Sequence, residues 1–213
     1  MRLFLSSYRL GHHPQALLQL LGPGRRTAVI FNAADYKDPS ERAESLAGDL
    51  QELRELGLDP FEVDLRAYFH HEPGLEVILS QVDLIWVRGG NCFILRRALK
   101  QSGADDLIKE LLLRDAVVYG GFSAGIDMLA PSLEGVELVD DPHLVPDGYD
   151  PEIVWDCLGL LPFSVAPHYK SDHPESAQIA DTIEYMIEHH LPFIALKDGQ
   201  ALVIDGDNRQ VLV

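Results

Sequence analysis

The chain of 213 residues is 46% hydrophobic, which is enough for one domain with a sizeable core over residues 1–213. Its formal net charge of −17, from 34 acidic and 17 basic side chains, argues against nucleic acid or an anionic membrane surface as a partner. The two cysteines, Cys92 and Cys157, are too few for a disulfide framework and lack metal-ligand spacing, so we expect a reducing compartment and a cytoplasmic protein.

Apolar runs of strand length alternate with helical patterns through the first half of the chain. A short helix is predicted at 14–21, and a longer one begins after Asp38, which suits an N-cap, with Pro39 in the first helical position. Because continuous apolar strands that alternate with helices are typical of buried parallel strands, we predict an α/β fold with a mostly parallel sheet covered on both faces. The strands of this half are predicted at 3–6, 27–31, 61–65, 84–87 and 116–119.

The second half of the chain begins with an irregular region. Residues 132–151 are rich in proline and aspartate, and irregular stretches of this length in a compact domain tend to be functional. Two short strands with a helical pattern between them follow, and a closing meander is predicted around Gly206-Asp207-Asn208. These strands are predicted at 164–167, 193–196, 201–204 and 211–213.

The turn after strand 116–119 carries Gly121-Phe122-Ser123-Ala124-Gly125, a Gly-x-Ser-x-Gly pattern. A serine at the top of a strand sits in a strained backbone conformation, and flanking glycines remove side chains that would collide with it. The helix that follows directs free backbone N–H groups towards the serine, which favours negative charge there. Taken alone, the pattern fits a glycine-rich turn in any parallel α/β protein as well as it fits a catalytic serine. Ser123 is therefore a candidate nucleophile only if the rest of the chain supplies the other catalytic groups.

Two further motifs follow predicted strands, at the ends where parallel α/β proteins form their ligand crevice. Arg88-Gly89-Gly90-Asn91 has glycines that allow close approach to a ligand, so the N–H of Gly90 is a candidate oxyanion donor beside that of Ala124. An ordinary strand-to-helix turn is the alternative interpretation of this glycine motif.

The second motif, Ala166-Pro167-His168-Tyr169, places a histidine after a short strand, and imidazole is the usual base for an activated serine. Nine histidines are present, so position alone does not select His168.

A third motif supplies a carboxylate. Lys197-Asp198-Gly199 follows strand 193–196, and Asp198 could orient the histidine and stabilise its imidazolium form. An Asp-Gly hairpin turn is an equally good interpretation, because strand 201–204 begins soon afterwards. Asp172, four residues after His168, is the rival acid. The order Ser, His, Asp also argues against an α/β-hydrolase, in which the acid precedes the histidine.

In combination these motifs resemble the peptidase E family of serine peptidases. Members are relatives of cyanophycinase, with a class I glutamine amidotransferase-like, flavodoxin-like core in which serine replaces cysteine. The matching motifs run from Gly89-Gly90-Asn91 to Asp198-Gly199 and cover roughly the whole chain from the second strand onwards. The resemblance implies a single three-layer domain with Ser123 as nucleophile, His168 as general base, Asp198 as orienting acid, and Gly90 and Ala124 as oxyanion donors.

The main departure from that family bears on the substrate. Peptidase E removes amino-terminal aspartate and carries an arginine after the catalytic histidine, whereas no arginine lies between His168 and Arg209 here. Strict specificity for aspartate is therefore not expected. Arg88, more than Lys170, is predicted to contact a substrate carboxylate, and Asn91 is the third predicted substrate-binding residue.

These observations predict a serine peptidase that hydrolyses dipeptides or short peptides through an acyl-enzyme on Ser123. The expected partner is a small peptide, without metal or organic cofactor, nucleic acid or membrane, and a homodimer is left open.

A glutamine amidotransferase-like amidase is the alternative enzyme. Such domains resemble this chain with a cysteine nucleophile and a His-x-Glu pair, whereas Lys170 stands two residues after His168. The non-enzymatic alternative is a binding module that keeps the pocket without turnover.

Overall fold

The computed structural model describes all residues 1–213 and shows strands alternating with helices along the chain. The helices are α1 (Pro14–Leu21), α2 (Pro39–Glu55), α3 (Leu75–Leu79), α4 (Cys92–Ser102), α5 (Ala104–Leu113), α6 (Ala124–Asp127) and α7 (Ser176–Glu188). The strands are β1 (Arg2–Ser6), β2 (Arg26–Ile30), β3 (Asp59–Glu62), β4 (Leu84–Val87), β5 (Val118–Phe122), β6 (Ser164–Ala166), β7 (Phe193–Ala195), β8 (Ala201–Asp205) and β9 (Asn208–Leu212).

Seven of the strands form the main sheet, in the order β3-β2-β4-β5-β1-β8-β9. The first five of these are parallel to their neighbours, and β8 and β9 extend the sheet beside β1 as antiparallel strands. Alternate side chains pack on opposite faces: Leu3 and Leu5 lie in the apolar layer formed with α3 to α6, whereas Phe4 lies in the layer formed with α1 and α2. The predicted α/β fold, with a mostly parallel sheet between two helical layers, is confirmed.

The predicted helices begin where their sequences indicate, but strand β3 ends three residues before its predicted end, and β6 and β7 each end one residue early. α1 spans 14–21, and the side chain of Asp38 accepts a hydrogen bond from the Ser40 N–H at the start of α2. The prediction of a strand over 61–65 is wrong in its second half, because β3 ends at Glu62 and a 3-10 turn begins at Leu65. None of the helices combines the length and the apolar composition that a membrane span requires.

The two short strands β6 and β7 lie outside the main sheet and pair in parallel with each other. Their pairing continues past the strand ends, since the Leu196 N–H donates to the carbonyl of Ala166 and the Tyr169 N–H donates to the carbonyl of Leu196, both at 2.9 Å. The segments that carry His168 and Asp198 are thereby held side by side.

Candidate active site

Ser123 lies in the turn between β5 and α6, at the carboxyl end of the parallel strands. Its backbone has φ 50° and ψ −126°, a combination that non-glycine residues rarely adopt and that costs about 1–3 kcal/mol. β5 extends to Phe122, three residues beyond its predicted end, so Ser123 alone connects the strand to α6. Because Ser123 is only partly buried and lines a pocket, its hydroxyl is presented in the way that a nucleophile elbow requires.

The loop 88–91 approaches this turn closely. A Cβ atom at Gly89 would stand 2.6 Å from the Ser123 Cβ, so only glycine lets the loop pass here. Gly90 has φ +142°, which other residues rarely adopt, and its N–H donates to no acceptor in the protein. The N–H of Ala124, at the first position of α6, has no intrahelical acceptor either. Both predicted oxyanion donors are therefore free, and their role stays a prediction.

The structure brings His168 and Asp198 together. His168 Nδ1 lies 2.7 Å from Asp198 Oδ1, a separation typical of a charge-assisted hydrogen bond. With Nδ1 committed to the carboxylate, Nε2 is the ring nitrogen available to a serine hydroxyl. The rival acid Asp172 is exposed and does not bond the imidazole. The geometry favours Asp198 as the partner of His168, and the catalytic roles of these residues stay predictions.

Ser7, which the sequence analysis did not single out, holds this pair in place. Its hydroxyl donates to Asp198 Oδ1 at 2.8 Å and accepts from the backbone N–H of His168 at 2.8 Å. Ser7 itself is completely buried, so water does not reach its hydroxyl. A second serine also holds Asp198, because the backbone N–H of Asp198 donates to Ser171 Oγ at 2.8 Å. The one signal in the sequence was the place of Ser7 directly after β1, at the same edge of the sheet as Ser123.

His168 is buried against a second histidine, His173. The rings of His168 and His173 stack with centroids 3.7 Å apart and planes 6° from parallel. Burial lowers the pKa of His168 below its ordinary value, because the imidazolium loses hydration, and the hydrogen bond and charge of Asp198 offset this only in part. His173 lowers the pKa slightly further, and Glu175 raises it.

We expect the acid limb of the kcat/KM profile to lie below pH 6.5, the ordinary pKa of histidine. His168 must be neutral to accept the serine proton, so activity is full above the His168 pKa and is lost as the pH falls through it. The profile is measured with a dipeptide substrate. NMR titration of the His168 ring protons then shows whether the acid limb reflects protonation of His168. A limb at or above pH 6.5 that tracks His168 would contradict the dominant effect of burial.

Arg88, the first of the predicted substrate-binding residues, is already engaged within the protein. Its Nε donates to Asp49 Oδ2 at 3.0 Å, and its guanidinium carbon lies 4.6 Å from the centroid of the Phe31 ring. A second guanidinium nitrogen donates to the carbonyl of Gly89 at 2.8 Å, so Arg88 braces the loop beside Ser123. A direct contact with substrate stays a prediction.

The other two predicted substrate-binding residues differ in their surroundings. Asn91 caps α4, since its Oδ1 accepts from the Ile94 N–H at 2.9 Å and its Nδ2 donates to the carbonyl of Asp141 at 3.1 Å. Both ends of this amide are thus occupied. Lys170 is exposed, and its ammonium lies 5.0 Å from the centroid of the Tyr169 ring. A substrate role for either residue stays a prediction.

Comparison with known proteins matches nearly the whole chain to one family. The model of peptidase family S51 matches residues 4–212. "Peptidase E" of Streptomyces coelicolor is 32% identical over 205 residues, which cover 93% of this chain and 75% of that protein. "Probable alpha-aspartyl dipeptidase" of Drosophila melanogaster is 30% identical over 148 residues, which cover 67% of this chain and 58% of that protein.

Two solved structures have a similar fold. A crystal structure from Listeria monocytogenes EGD-e, provisionally assigned as a peptidase E protein, has a TM-score of 0.78 and 24% identity, with 99% of this chain and 97% of that chain covered. A crystal structure of a peptidase from an acI-B1 Actinobacterium has a TM-score of 0.69 and 17% identity, with 99% and 86% covered. At these identities the likeness bears on the fold alone, and it agrees with the sheet architecture described above.

Proposed function

The chain belongs to peptidase family S51, a family of serine peptidases, and on this basis we propose that it hydrolyses dipeptides or short peptides through an acyl-enzyme on Ser123. The names of its relatives, peptidase E and alpha-aspartyl dipeptidase, support a substrate of this size. Aspartyl specificity is not carried over, because no arginine lies between His168 and Arg209. The two free cysteines support a cytoplasmic setting as part of the same proposal.

In the proposed reaction, Ser123 Oγ attacks the carbonyl carbon of the peptide bond while His168 takes the hydroxyl proton. The oxygen of the tetrahedral intermediate accepts hydrogen bonds from the N–H groups of Gly90 and Ala124. As the C–N bond breaks, His168 passes its proton to the leaving amine and the acyl group stays on Ser123. Water then attacks the ester with His168 as base, which releases the acid and restores the serine. Asp198 keeps the imidazole in the required tautomer and stabilises its charged form.

The observation that carries this proposal is the 2.7 Å hydrogen bond between His168 Nδ1 and Asp198 Oδ1, which is the support that an imidazole base needs. A fluorophosphonate probe, which reacts with activated serine hydroxyls, is therefore expected to label Ser123. The labelled peptide is identified by mass spectrometry after digestion. Ser80→Ala changes an exposed serine at the end of α3 and should label as the wild type does. Absent labelling, or labelling at another residue, would contradict the proposal.

A further inference from the structure

The loop that carries the candidate oxyanion donor Gly90 is held at its two ends by backbone hydrogen bonds. The N–H groups of Arg88 and Asn91 donate to carbonyls at the end of β2 and in the turn after it, at 3.1 Å and 2.9 Å. Between these points, a bond of 2.8 Å from the Arg88 guanidinium to the carbonyl of Gly89 is the only hydrogen bond that reaches the backbone of Gly89 or Gly90. The Gly89–Gly90 peptide unit therefore depends on this one side chain.

The bond from Arg88 also fixes the direction of the Gly90 N–H. The carbonyl of Gly89 and the N–H of Gly90 belong to one peptide unit, and in a planar trans peptide these two groups point in opposite directions. Because the carbonyl is drawn towards Arg88, the N–H is turned away from the guanidinium and is left free for another acceptor. With a glycine on each side, the unbonded peptide unit could turn over at little steric cost.

Arg88 is itself fixed by the helix on its other side. Its Nε donates to Asp49 Oδ2 of α2 at 3.0 Å, and its guanidinium carbon lies 4.6 Å from the centroid of the Phe31 ring. Both partners of this ion pair are shielded, since 15% of the Arg88 side chain and 5% of the Asp49 side chain are exposed. A planar guanidinium presents its N–H groups in a fixed fork, so the bond to Asp49 also fixes the nitrogen that donates to Gly89.

Building on the proposed peptidase function, we propose that Arg88 is a positioning residue of the oxyanion hole, which keeps the Gly90 N–H turned towards the carbonyl oxygen under attack by Ser123. The loop lies close enough for this role, since a Cβ atom at Gly89 would stand 2.6 Å from the Ser123 Cβ. Arg88 contacts no reacting atom. It acts through the Gly89–Gly90 peptide unit, and Asp49 anchors it on the side away from the loop.

Arg88→Ala is expected to lower kcat by about ten- to a hundred-fold with little change in KM, because outright loss of one oxyanion donor costs about 10²–10³ in kcat and Gly90 would only be released. The factor should be the same for alanyl-leucine and aspartyl-leucine, since an oxyanion forms on every substrate. A direct contact between Arg88 and a substrate carboxylate would instead raise KM for aspartyl-leucine alone. Steady-state kinetics with both dipeptides separates the two roles.

Three further variants accompany this measurement. Arg88→Lys keeps the charge but not the fork, so it carries the same expectation at lower risk to the fold. Asp49→Asn keeps an oxygen for Nε but removes the charge, and it should lower kcat less than Arg88→Ala. Arg42→Ala is the matched control, because Arg42 also packs on the Phe31 ring, at 5.2 Å, and pairs with two carboxylates, but does not bond the loop 88–91. It should lower the melting temperature and leave kcat unchanged.

The orientation of the peptide unit is measured without turnover, in crystal structures of the wild type and Arg88→Lys. The Gly89–Gly90 peptide is expected to turn over or to occupy two orientations in the variant. A single orientation identical to that of the wild type would overturn the inference. An unchanged kcat, a rise in KM for aspartyl-leucine alone, or an equal loss of kcat in Arg42→Ala would overturn it too. If the wild type hydrolysed neither dipeptide, the proposed function would fail, and the crystal structures would still decide the positioning role.

Discussion

Replacing Ser123 with alanine is expected to lower kcat for a dipeptide by about a million-fold, and His168→Ala is expected to cost a similar factor. The two effects are similar because nucleophile and base act as one unit: without the base the hydroxyl is a poor nucleophile, and without the hydroxyl the base has no proton to take. The strained backbone at Ser123 and the partly buried hydrogen bond between His168 and Asp198 are the observations behind this expectation. Steady-state kinetics with purified protein measures both variants.

The double variant distinguishes catalysis from general damage. Ser123→Ala with His168→Ala should lose little more activity than either single change, since the unit is already broken. Thermal unfolding is expected to show a folded protein for Ser123→Ala, because the Ser123 side chain makes no capping hydrogen bond to α6. If either single variant kept more than about a tenth of the wild-type kcat, a loss below about 1.4 kcal/mol, that residue would be removed from the mechanism.

Asp198→Asn is expected to lower kcat by about ten-thousand-fold while KM changes little. The asparagine amide can present N–H groups to Nδ1, which favours the tautomer with its proton on Nε2, and that tautomer cannot accept the serine proton. The side chain keeps its size, so the packing around Ser7 is preserved. The measurement is kcat and KM for the same dipeptide, with the fold checked by thermal unfolding.

Asp172→Asn is the matched control, because it removes one carboxylate from the same segment at an exposed position. It should leave kcat within about twofold of wild type, as surface substitutions usually change little. Ser7→Ala removes one of the hydrogen bonds to Asp198 and should fall between the two variants. A larger loss for Asp172→Asn than for Asp198→Asn would assign the acid to Asp172 and contradict the geometry.

Much of the fold could be predicted from the sequence because the relevant interactions are local. The helix start at Asp38 depends on a side chain and an N–H two residues apart, and the turn at Ser123 depends on residues next to it. The strand 61–65 was predicted too long for a related reason: its alternating pattern continues through Asp64, but that side chain accepts from the N–H of Arg66 and starts a 3-10 turn. The alternating pattern favours a strand, whereas the side chain of Asp64 favours a turn. The pattern alone does not show which of the two preferences is stronger.

The fold class, the family and a small set of candidate site residues follow from the amino-acid sequence, because apolar periodicity and short motifs are read along the chain. Which of these residues meet depends on how the chain packs in three dimensions. Ser7 and His168 are 161 residues apart in sequence, and Arg88 pairs with Asp49 across 39 residues. Such contacts depend on how β1, β5 and the separate β6–β7 pair are placed in space, which no local pattern encodes. The pocket beside Ser123 has the same origin, because Asp127, Asp140 and Glu175 in its wall come from three segments that only packing brings together.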